Sequence, residues 1–212
     1  MAKFAGGILG AFSGKVGSVI GGNWKGITYM RSQPAKRTST PTQAQLEQQA
    51  KFTLAIRFTN VLSALFAISF RQYANKMTGV NSAFSYLLKN AITGSYPGYS
   101  IDYSKVLISR GDLPNAENPT AVAAVASKIN FAWVDNTGTG KASSDDTAIL
   151  VVYCPAMKLA LYTTTGATRS DGSQQYNAAV FHGQQVETWV GFISADGKEI
   201  ASSIFTGQLT VS

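Results

Sequence analysis

The sequence predicts an α+β protein, with a glycine-rich β-hairpin plus helices over residues 1–112 and an all-β sandwich over residues 113–212. Three observations carry this expectation. Residues 1–110 hold 13 Lys or Arg against only Glu47 and Asp102, whereas residues 111–212 hold five bases and nine acids. Apolar residues recur at steps of three and four from Leu46 to Phe70, the period of a helix. Near Leu113 the pattern changes to short apolar runs at regular spacing, divided by turn residues.

The elements follow in chain order. Gly6 to Gly26 is dense in glycine, which suits places where backbones turn tightly or approach closely. Lys15–Ile20 reads as a strand, Gly21-Gly22-Asn23 as a turn, and Trp24–Arg31 as the return strand of a hairpin. On that strand Lys25, Ile27, Tyr29 and Arg31 are expected on one face, with Trp24, Thr28 and Met30 on the other. Ser32–Ser39 reads as a linker whose Lys36 and Arg37 extend the basic cluster begun by Arg31.

Thr40-Pro41-Thr42-Gln43 is a helix start, with Thr40 as N-cap and Pro41 at the first position. One stripe runs through Leu46, Ala50, Leu54, Phe58, Val61, Leu65 and Ile68, and a second through Phe52, Ile56, Leu62, Phe66 and Phe70. A helix apolar on two faces needs cover on both, from its own domain or from another subunit. A break is expected at Asn60, a further helix over residues 81–92, and a packed corner at Tyr96, Tyr99 and Tyr103 before a strand at 105–108.

Seven strands are expected beyond Leu113, at 121–126, 128–133, 148–153, 159–163, 175–180, 187–193 and 200–211. Seven strands in about 100 residues match an immunoglobulin-like sandwich. Trp133 and the run from Trp189 to Gly197 look like fibronectin type III, a module that does not depend on a disulfide.

Little in the chain points to chemistry. Cys154 is the only cysteine and His182 the only histidine, so neither a disulfide nor a Cys/His zinc site is expected. Gly138-Thr139-Gly140-Lys141 fails the phosphate-loop pattern, because Asp135 stands where its first glycine belongs and Ala142 where its Ser/Thr belongs. Asp145-Asp146 reads as a solvated turn, and Arg110-Gly111-Asp112 as a coincidental integrin-type tripeptide. Catalytic, cofactor and metal residues are therefore expected to be absent. Glycines interrupt the apolar N-terminal run, no stretch suffices for a membrane span, and a cytoplasmic or virion location is expected.

Several motifs carry a resemblance. Gly7–Gly17, Trp24-Lys25-Gly26, Tyr29–Ser32, Ile101–Lys105, Ser109–Leu113 and Ser194–Glu199 are similar to an uncharacterised family known from Bacteroidota, DUF6266. That resemblance implies a bacterial or bacteriophage origin and provides no catalytic residues to carry over. The expectation is a non-enzymatic structural protein that forms a homo-oligomer or joins a filament, ring or particle through its basic half. Its candidate contact residues are Lys15, Trp24, Lys25, Tyr29, Arg31, Lys36 and Arg37. Nucleic acid is the alternative partner, because rings stack on bases while cations meet phosphates.

Overall fold

A computed structural model describes residues 3–4, 10–24, 26–35 and 40–212. The chain divides into two compact units, Met1–Thr42 and Gln43–Ser212.

The first unit is an antiparallel sheet of β1 (Lys3–Phe4), β2 (Phe12–Val16), β3 (Val19–Trp24) and β4 (Ile27–Ser32), paired in that order. Its turns lie elsewhere than expected. Gly17-Ser18 joins β2 to β3, with Gly17 at φ 57° and Val16 facing Val19. The second return lies between Trp24 and Ile27, where Gly26 sits at φ 85° and its N–H donates to Asn23 Oδ1 at 3.1 Å. Gly21 and Gly22 lie inside β3 and serve close approach instead. A Cβ on Gly21 would stand 2.7 Å from the Phe12 ring, and one on Gly22 2.9 Å from the Tyr29 ring.

The second unit has three layers. Helices α1 (Gln43–Val61), α2 (Ser63–Ser69) and α3 (Gly79–Asn90) form the first. A small ribbon of β5 (Ile92–Thr93) and β6 (Ser100–Ile101) follows. The other two layers are antiparallel sheets built from β7 (Glu117–Ala124), β8 (Lys128–Val134), β9 (Thr147–Cys154), β10 (Leu159–Thr163), β11 (Ser173–Asn177), β12 (Gln185–Ile193) and β13 (Ile204–Thr210). Their orders are β10-β9-β12-β13 and β11-β8-β7. The seven expected strands are thus present, with shifted ends.

The central strands explain the layering. β9 reads Thr147-Ala-Ile-Leu-Val-Val-Tyr-Cys154, apolar on both faces, and its residues from Ala148 onward are all buried. Ala148, Leu150, Val152 and Cys154 join Phe131, Val190 and Phe192 in the core between the sheets. Ile149, Val151 and Tyr153 turn the other way, onto Phe58, Leu62, Leu65 and Trp189. The Phe58 and Tyr153 rings meet edge to face at 5.0 Å. Each such buried side chain contributes about 1.5–3 kcal/mol of burial free energy.

That packing moves the boundary expected at residue 112. The helices cover the outer face of the four-stranded sheet, so residues 43–112 and 113–212 belong to one unit. Smaller shifts accompany it. Helix α1 begins at Gln43 rather than Pro41, and the chain turns by 83° at Leu62, not Asn60. The strand expected at 105–108 does not form; residues 103–105 make a 3₁₀ turn, and Tyr103 packs on Phe58, Tyr153 and Trp189. The doubly apolar helix is covered within its own unit near Phe58, while Phe52 stays half exposed with its ring 4.7 Å from Phe84. No single helix among the described residues is long and apolar enough to cross a membrane.

A strap over residues 106–113 stitches the layers together. The Ser69 hydroxyl donates to the Ile108 carbonyl at 2.7 Å, and the Arg110 N–H to the Ser69 carbonyl at 3.0 Å. On the other side the Ile108 N–H donates to Ser203 Oγ at 2.8 Å, and the Ser109 hydroxyl to the Ala201 carbonyl at 2.8 Å. The Arg110-Gly111-Asp112 tripeptide lies within this strap and is not a free loop. A Cβ on Gly111 would run into the Ile200 carbonyl, and Asp112 accepts the Tyr73 hydroxyl at 2.7 Å.

Candidate functional site

The expected contact residues fall in the N-terminal sheet, and the register decides which share a face. Cross-strand partners project to the same side. Lys15 faces Ile20, and Ile20 faces Arg31, so those three form one row. Gly22 faces Tyr29, and Trp24 faces Ile27. Lys15, Ile20, Trp24, Ile27, Tyr29 and Arg31 therefore share a single face, with two cations, two rings and two isoleucines. Trp24 was expected opposite Tyr29. Moving the turn from Gly21-Gly22 to the return after Trp24 changes the parity of the strand and brings the ring across.

The surface is open. Trp24 is 50% exposed, Ile27 69% and Tyr29 47%, and Met30 on the reverse face is 72% exposed. Gly22 lets the Tyr29 ring lie close over the backbone. Lys25, Lys36 and Arg37 lie outside the described residues.

Charge on the second unit is arranged by its loops. Register places Val134 by Glu117, Ile193 by Thr147, and Thr147 by Thr168, so the loops at this end share one pole of the sandwich. Exposed Glu117, Asp135, Asp145, Asp171 and Asp196 gather there. Hydrogen bonds from the Thr137 hydroxyl, the Thr168 N–H and the Ser194 hydroxyl hold Asp135, Asp171 and Asp196, respectively, below the usual carboxylate range. Lys141 and Lys198 partly neutralise this pole through Glu199 and Asp196.

Asp146 departs from the solvated-turn expectation. It is 1% exposed and accepts from Arg169 Nε and Nη2, both at 3.0 Å. Arg169 also donates to Asn136 Oδ1 and to the Pro114 and Asn115 carbonyls, and lies 4.0 Å from the Phe192 ring centroid. Sequence reading missed this pair, because 23 positions separate partners whose types are ordinary in solvated turns.

Two further groups have chemical character. Ser127 and His182 share a hydrogen bond of 2.9 Å between Oγ and Nδ1, and no carboxylate bonds His182 among the described residues. The pair ties the β7–β8 turn to residues 179–182. Glu187 lies buried with Gln208 donating to it at 2.8 Å, and burial raises its pKa. Its cross-strand neighbour Tyr153 and nearby Tyr103 are both raised by burial as well. These are packed groups. No cluster of three or more His, Cys, Asp or Glu able to hold a metal occurs among the described residues.

No curated protein matches the chain. A solved structure of the fn3 domain of the human collagen alpha-1(XX) chain is similar at 9% identity and a TM-score of 0.36, covering 49% of this chain and 90% of that one. A family model, described as a family of unknown function, matches residues 11–207. That span includes the exposed sheet face, the strap and both sandwich sheets, and the chain belongs to the DUF6266 family.

Proposed function

We propose that the protein is a non-enzymatic structural component that assembles through its basic N-terminal sheet. The observation that carries this reading is the shared, exposed face of Lys15, Ile20, Trp24, Ile27, Tyr29 and Arg31. Residues 1–42 hold six bases and no acid. The complementary surface is the acidic pole of the sandwich on a second copy. A contact between two different patches is heterologous, so it builds a ring if it closes and a filament or shell if it does not. In this reading the fibronectin type III-like sandwich presents the acidic contact, and its strand order in two sheets of three and four supports the likeness to that module.

Native mass measurement of the full chain tests the proposal. The wild type should form species larger than a monomer that dissociate as salt rises, because screening weakens exposed charge contacts. Lys15→Glu with Arg31→Glu should shift the population to monomer while the melting temperature barely moves. A double variant that assembles like the wild type would exclude this face as the contact.

A nucleic-acid contact is the second reading, supported by Trp24 and Tyr29 standing on the same face as the two cations. Binding to an oligonucleotide should then weaken steeply with salt. Unchanged native mass after nuclease treatment, with no oligonucleotide binding at low salt, would leave assembly between copies.

A further inference from the structure

The strap and α3 enclose a second feature, independent of the N-terminal sheet. A pocket of about 320 Å³ opens between them, with Tyr73, Ser85, Tyr86, Lys89, Asn90 and Arg110 in its lining. The Arg110 guanidinium lies 4.1 Å from the Tyr73 ring centroid and 5.5 Å from that of Tyr86. Both ends of this arrangement are fixed. The Arg110 N–H is bonded to the Ser69 carbonyl, and Tyr73 is held by its hydroxyl bond to Asp112.

The contrast with Arg169 is informative. There every edge of the guanidinium is taken by protein oxygens. Among the described residues, the Arg110 guanidinium makes no hydrogen bond and no ion pair, and neither does the Lys89 ammonium. Asp112 is the nearby carboxylate, and it is occupied by the Tyr73 hydroxyl. Contact with the two rings uses none of its N–H groups, which leaves the fork available for bidentate recognition of an oxyanion. Lys89 sits in the last turn of α3, where the helix dipole favours a cation.

We propose that this pocket binds a phosphomonoester group on a small organic molecule. Two separate cations match a dianion better than a monoanion, and the Ser85 and Tyr86 hydroxyls can serve its third oxygen. The Tyr73, Tyr86 and Met77 side chains provide an apolar wall for the organic part. The volume is at the small end of the range for ligand sites. None of this depends on assembly through the N-terminal sheet.

Titration of the full chain with phenyl phosphate, followed by amide chemical shifts and calorimetry, tests it. Saturable binding with shifts at Ser85, Lys89 and Arg110 is expected, and benzoate should bind roughly tenfold more weakly. Arg110→Lys keeps the charge and removes the fork, so affinity should fall on the order of tenfold. Lys89→Met should weaken binding several-fold, whereas Lys158→Gln, in the β9–β10 turn, should leave it unchanged.

Absence of saturable binding at millimolar phenyl phosphate overturns the proposal, as does an Arg110→Lys variant that binds like the wild type. Benzoate binding as tight as phenyl phosphate overturns the phosphate class. Should Arg110→Lys fail to fold, Lys89→Met decides the matter: wild-type affinity there refutes the site.

Discussion

Arg169 shows how a single side chain fixes several loops. It bonds Asp146 before β9, Asn136 after β8, and the Pro114 and Asn115 carbonyls before β7. Its own carbonyl accepts the Trp133 indole N–H at 2.8 Å. Removing one partner of a buried pair leaves a charge uncompensated, at a cost of about 3–5 kcal/mol. Asp146→Ala and Arg169→Met should each lower stability by that amount in urea titrations. Arg169→Lys should also be costly, because an ammonium cannot reproduce the fork. A lysine variant as stable as the wild type would show that charge alone suffices. None of this was legible in the sequence, where Asp145-Asp146 and Arg169 look like surface residues. Arg110 escaped for the same reason, since its pocket draws on positions 73, 86 and 89.

At the scale of elements, strand turns and a buried strand pull acid stability in opposite directions. Asp102, Asp135, Asp171 and Asp196 each accept hydrogen bonds in tight turns, chiefly from Ser104, Thr137, Thr168 and Ser194, which lower their pKa values. Their stabilisation is complete above the unfolded carboxylate range near pH ~4 and is lost as pH falls through the lowered folded values. Glu187 on β12 behaves in reverse. Burial raises its pKa, so its contribution is complete at low pH and is lost as pH rises through the raised folded value. Glu187→Gln should therefore raise the urea midpoint more at pH 8 than at pH 4. An equal change at both values would mean that Glu187 is not desolvated.

The strands themselves were legible, because turn residues bracket each one and β7 and β8 alternate. The hairpin was misplaced because glycine serves both turns and close approach. In β3 it makes room for Phe12 and Tyr29.

For the whole molecule, the apolar character of β9 and β12 on both faces is the signal of three layers. A free-standing sandwich would alternate inside and outside. Cutting the chain at residue 113 would expose Ile149, Val151, Tyr153 and Trp189, which the helices cover. Residues 43–212 expressed alone should therefore melt cooperatively within a few degrees of the full chain, whereas residues 113–212 should aggregate or lack a sharp transition. Near-ultraviolet dichroism and thermal scans distinguish the two. Equal melting of both fragments would show that the helical layer adds no stability. The charge contrast between sequence halves is accordingly redistributed between a basic N-terminal unit and a nearly neutral second unit with an acidic pole.

The strap has a consequence for synthesis. Its partners Ala201, Ser202 and Ser203 lie just before the last strand, and the Trp189 indole N–H that caps the Val106 carbonyl at 3.1 Å also comes late. Translation delivers α1 and α2 first, with Phe58, Leu62 and Phe66 uncovered. Those helices cannot find their sheet until the ribosome has passed β12, and cannot be locked until it reaches Ser203. Such long-range closure is slow and leaves nascent apolar surface waiting. The interval between emergence of α2 and completion of β12 is when this chain most needs a chaperone.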